Sequence, residues 1–160
     1  NADGRCSLSF QIADDGSGLS QALVSGVQAL ARFSTFTVTT QVRPDPVELM
    51  ATGFDTTCFL HGVIPVSATP AGSCSPMPRI VDLVPPVGVM DSFENVTPGT
   101  ALSFNVNAQN LAASGQPCRP ELPDPQLFRA YIDVVGDGVT VLDTRAVIII
   151  VPPAPPGGGN

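Results

Sequence analysis

His61 is the only side chain in this sequence whose ordinary pKa lies near neutrality, so any general acid–base chemistry at pH 7 would have to start there. It sits in Phe59-Leu60-His61-Gly62-Val63, an apolar, strand-like run, and the chain holds neither an H-E-x-x-H helix nor a G-x-S-x-G elbow. A histidine on a strand face is the reading that follows, not a catalytic base. Glycoside chemistry would need two converging carboxylates and aromatic sugar platforms; with no Trp and Tyr131 as the only Tyr, the platforms are missing. Four cysteines, Cys6, Cys58, Cys74 and Cys118, make an even set without a C-x-x-C pair. With only one histidine to join them, that spacing argues against zinc and for two disulfides formed in an oxidising compartment. One bridge within each half of the chain would be Cys6–Cys58 with Cys74–Cys118; the alternative is Cys58–Cys74 with Cys6–Cys118. Val135-Gly136-Asp137-Gly138-Val139 has one carboxylate between apolar runs, which predicts a hairpin turn and not a calcium loop. Asn95-Val96-Thr97 is formally a glycosylation sequon, read here as a turn that shapes the start of a strand.

Those residues must be held by a mainly β framework. Leu102, Phe104 and Val106 alternate with Ser103, Asn105 and Asn107 after the turn Thr97-Pro98-Gly99-Thr100, the period-2 signature of a half-buried strand. Phe128, Ala130, Ile132 and Val134 repeat it before Gly136-Asp137-Gly138, and a further apolar run closes at Pro152-Pro153. Within that last run Asp143-Thr144-Arg145 interrupts the apolar pattern, as a bulge or an ion pair that blunts a sheet edge would. The uncharged remainder, Ala146, Val147, Ile148, Ile149, Ile150 and Val151, is the candidate interaction edge. The first third differs. Leu8, Phe10 and Ile12 alternate; then Leu19, Leu23, Val27 and Leu30 recur at helical spacing, with Ser17 as the expected N-cap and a stop near Arg32. A threonine-rich strand follows from Phe36 to Val42 and breaks at Arg43-Pro44-Asp45-Pro46. A weaker strand is expected over Cys58 to Val66, and a Pro/Ser/Gly linker from Ser67 to Pro78.

Composition bounds the function. In 160 residues, 43% hydrophobic against 13% charged is enough to bury a core, far from the disordered regime. A net charge of −7, with seven scattered arginines and no lysine, repels a phosphate backbone and excludes a nucleic-acid partner. The longest apolar run, near Val147 to Val151, is strand length, so no transmembrane segment and no signal peptide are expected. Asn1 is read as an internal start, the chain being part of a longer precursor.

The segment Gly16-Ser17-Gly18-Leu19 to Leu30, the strand Phe36 to Arg43, and the stretches "VTPGTALSFNV" and "PQLFRAYIDVVGDGVTVLDTRAVIIIVPP" resemble the C-terminal region of bacterial exported proteins with a von Willebrand factor type A domain. The resemblance covers most of the chain, is most specific at Val96 to Thr100 and Leu142 to Pro153, and implies an extracytoplasmic adhesion or scaffold setting. Where that family often has a cysteine, this chain has Ser103. The family's cation site uses D-x-S-x-S; Asp15 and Ser17 match its start, but the second serine, Ser20, is displaced by one residue, so capping is preferred to metal binding.

The expected architecture is a mainly β fold: a strand-helix-strand segment at 1–46, as at the end of a type A-like domain, an immunoglobulin-like β-sandwich at 47–153, and a Pro/Gly-rich tail at 154–160. The helix stripe should pack on a sheet. The expected function is a non-catalytic structural or protein-binding module of an exported surface or periplasmic protein, with no catalytic residue, cofactor or metal, acting through a protein partner or self-association. The alternatives are a fibre subunit that assembles by strand addition, and an accessory domain of an extracellular hydrolase.

Overall fold

The structure, a computed structural model, describes residues 12–70, 72, 76–86 and 88–154. The alternating run at Leu8 and Phe10 lies outside them, as do Cys6 and Cys74. The chain is mainly β, as expected. Its elements are α1 (Leu19–Phe33), β1 (Phe36–Pro44), α2 (Pro46–Thr52), a 3₁₀ turn (Thr56–Phe59), β2 (Leu60–Thr69), β3 (Arg79–Val81), β4 (Ser92–Val96), β5 (Ala101–Ala108), β6 (Gln126–Gly136) and β7 (Thr140–Val151). Five strands form an antiparallel sheet in the order β3-β4-β1-β6-β7, and β2 and β5 pair antiparallel as a second sheet.

The alternation in sequence becomes two faces. Val38 of β1, with Phe93 and Val96 of β4, is fully or nearly fully buried, and Ala68, Leu102 and Phe104 of the two-stranded sheet pack against them with Phe36 and Val134. This cluster joins the two sheets into a sandwich. A second cluster gathers Phe59, Phe128 and Val151 with Phe54, Ile149 and Cys118. Its rings meet at 5.1–5.6 Å between centroids, two of the three pairs edge to face.

Cys58 is bonded to Cys118, which overturns both expected pairings, since each gave Cys58 a different partner. The physical reason is the second cluster: the 3₁₀ turn carries Cys58 to the same end of the sheet where the loop after β5 delivers Cys118. The same loop is clamped by Asn110, whose side chain accepts from the Arg119 amide and donates to its carbonyl. The Arg119 guanidinium lies over the Phe54 ring at 3.9 Å.

Further expectations change. β1 is hydrogen-bonded on both sides by strands from beyond residue 46, β4 and β6, and at Arg43-Pro44-Asp45-Pro46 the chain leaves this five-stranded sheet for α2 and then β2 of the second sheet. There Asp45 caps α2 through the amides of Val47 and Glu48, with Pro46 in the first turn. The α1 stripe does not pack: Leu19, Leu23, Val27 and Leu30 are 47–67% exposed. Helical spacing made the stripe, but neither core cluster includes it. Ser17 is not its N-cap. Gly18 occupies that position with φ 85° and has no side chain to cap with, while Ser17 lies one residue earlier in a turn where its amide donates to Asp15 Oδ1 (2.8 Å). The weaker strand is also shifted: residues 56–59 form the 3₁₀ turn and β2 runs from Leu60 on to Thr69, into the expected linker.

Candidate functional site

The residues that could do chemistry are not brought together. Asp15 and Ser17 share an exposed local turn, in which the Ser17 amide and hydroxyl hold the Asp15 carboxyl below its ordinary range. No group of three or more His, Cys, Asp or Glu side chains that could hold a metal ion occurs among the described residues. His61, exposed on β2, donates from Nε2 to the Leu111 carbonyl at 2.5 Å. In the formal sequon, Asn95 adopts φ 57° and Thr97 is 1% exposed, its hydroxyl shared with Thr100 at 3.2 Å. Asp137 is a turn residue: with Gly138 it takes positive φ (49° and 73°), as a type I′ turn demands. Its carboxylate also accepts from the Thr37 amide (2.9 Å) and hydroxyl (3.1 Å), tying the β6–β7 tip to the start of β1.

What the fold does present is an edge. Among the described residues β7 is paired only to β6, and its twelve residues split into two unlike halves. In the first half Leu142 has no partner across the pair, where the register passes from Val134↔Asp143 to Val135↔Val141, so it is the extra residue of a bulge. Next to it Arg145 donates to Asp143 (2.8 Å). Both side chains lie on the face that farther along carries Val147, Ile149 and Val151 toward the core. A bulge and charges on the sandwich side are two ways to stop a strand from pairing at an edge.

The second half, Ala146 to Val151, has neither device. Val147 and Ile149 are half-buried and Val151 buried, while Ile148 (54% exposed) and Ile150 (64%) face out. Leu127 stands opposite Ile150 and Arg129 opposite Ile148 on β6. Beside them a groove of about 300 Å³ opens between this outer face and the start of α2, lined by Val47, Glu48, Leu127, Arg129 and Ile148. The outer face nearer the first half is polar: Arg43 donates to Asp133 (2.7 Å) and lies over Tyr131 at 4.4 Å, and the Thr144 hydroxyl donates to Asp133 (2.6 Å). The Thr144 hydroxyl, followed by Arg43, holds the Asp133 carboxyl below its ordinary range.

The groove and Arg129 were not among the residues singled out from the sequence. One signal for the groove's α2 wall was present: Asp45-Pro46-Val47-Glu48 carries a cap, a proline in the first turn and an acid near the positive helix end. For Arg129 there was none, because its significance depends on which strand stands next to it. Compared with known protein families, curated proteins and solved structures, the chain matches none.

Proposed function

We propose that this chain is a non-catalytic protein-binding module of an exported protein, and that it works by accepting an added strand along Ala146–Val151 of β7. The observation that carries the reading is the contrast between the two halves of β7. One is blunted by a bulge and an ion pair. The other is uncharged, has no strand on its outer side among the described residues, and shows Ile148 and Ile150 to solvent. An open edge offers unpaired backbone donors and acceptors, which an extended segment satisfies while its alternate side chains pack on the outer face. The disulfide, and the lack of a helix long and apolar enough to cross a membrane among the described residues, are compatible with an extracytoplasmic setting.

The test is titration with an eight-residue peptide alternating valine and threonine, followed by backbone amide NMR. Shifts should concentrate in residues 146–151 and the adjacent part of β6. Ile148→Lys should abolish them while leaving the melting temperature within about 2 °C, since the side chain is already exposed. Shifts elsewhere with β7 unmoved would refute the reading.

A further inference from the structure

We infer that the strand accepted at this edge carries a glutamate, which pairs with Arg129; the inference rests on the edge reading above and specifies its partner. Five arginines have described side chains, and four of them are ion-paired: Arg43 with Asp133, Arg79 with Glu94, Arg119 with Glu48 and Arg145 with Asp143. Arg129 is the fifth. It is exposed and has no carboxylate within 4.0 Å among the described residues. The two acids that share its groove are committed elsewhere. Asp45 accepts the first amides of α2, and Glu48 takes the Thr52 hydroxyl and Arg119. In a chain of net charge −7, a cation with no described carboxylate partner beside the unblunted half of β7 is a charge left for a partner to meet.

The geometry sets what meets it. Arg129 stands opposite Ile148, so a strand added to β7 lies two strand spacings from it, about 10 Å. An arginine lying across Ile148 and a glutamate on the outer face of the added strand span that gap together, the stem of the arginine covering the exposed isoleucine. Apolar side chains two residues either side of the glutamate would meet Ile150 and Ala146. A second copy of this chain does not fit. The outward residues of β7 in and next to this half are Thr144, Ala146, Ile148 and Ile150, and its only carboxylate, Asp143, is on the opposite face. Two copies pairing β7 to β7 would leave both Arg129 side chains without a partner, and two net charges of −7 repel. The occupant is a different, acidic and apolar extended segment.

Three acetylated, amidated octapeptides test this. Each has threonine on one face; the other face has valines flanking a central glutamate, glutamine or lysine. Against the whole chain, affinity should fall in that order. The glutamate peptide should exceed the glutamine one by about two- to fivefold at low salt, the range of an exposed ion pair, and the gap should close as salt rises. Arg129→Gln should erase the gap, and Arg129→Glu should turn the preference toward lysine. Equal binding of all three, with contacts still at 146–151, would overturn the glutamate and leave the edge standing. Binding of none, with β7 amides unmoved, would overturn both. Concentration-dependent dimerisation broken by Ile148→Lys and untouched by Arg129→Gln would overturn it in favour of a second copy.

Discussion

Removing the Cys58–Cys118 bridge should cost about 4 kcal/mol. The bonded residues are 60 positions apart, and closing a loop of that size removes conformational freedom from the unfolded chain worth roughly 4 kcal/mol at 25 °C. The folded side adds to this. Cys118 packs on the Phe59, Phe128 and Val151 cluster, so alanine there also opens a small space. The assay is urea unfolding of the Cys58→Ala/Cys118→Ala double variant against wild type. With an m-value near 2 kcal/mol/M, the midpoint should fall by roughly 2 M. A loss below about 1 kcal/mol at unchanged m would refute the reasoning, because the bridge would then not be restricting the unfolded chain. Non-reducing peptide mapping should find Cys58 linked to Cys118; any other linkage of Cys58 would refute the pairing itself.

Phe59→Ala should destabilise by about 3–5 kcal/mol, since its ring is fully buried between two others, whereas Leu23→Ala on the exposed α1 stripe should change stability by less than about 0.5 kcal/mol; thermal or chemical unfolding ranks the two, and the reverse order would contradict the core assignment. Asp133 is held below its ordinary pKa in the fold, so its contribution to stability is present above the unfolded value of about 3.9 and is lost as the pH falls through the lower folded value. Asp133→Asn should therefore make stability fall less steeply between pH 4 and 2 in unfolding curves taken across that range. Gly136→Ala should loosen the β6–β7 tip, because a Cβ there would stand 3.1 Å from the Leu142 side chain; faster amide exchange at residues 135–142 is the readout.

Local pattern carried much of the fold. The alternation at Phe36 to Val42, Leu102 to Val106 and Phe128 to Val134 depends on the two-residue pleat alone, and those strands stand where the pattern put them. Turn chemistry was equally legible, because Asp137-Gly138 and Pro98-Gly99 act through their own φ angles: Gly99 at 85° and the Thr100 amide donating to Thr97 complete a turn that needs no distant partner. The interruption at Asp143-Thr144-Arg145 also predicted what the edge shows, a bulge beside an ion pair.

Everything decided by which surfaces meet was settled only in three dimensions. The α1 stripe has the spacing of a buried face, and spacing cannot supply a sheet to bury it against. Cysteine positions alone allow three pairings of four, and the choice belongs to the aromatic cluster that gathers Cys58 and Cys118 at one end of the sheet. Arg129 looks like any other scattered arginine until strand order puts it one strand in from the edge of the described sheet, with its would-be partners Asp45 and Glu48 bound elsewhere. Periodicity and turn propensity are properties of neighbours in the chain and can be read there; pairing, exposure and uncompensated charge are properties of neighbours in space, and no local pattern encodes them.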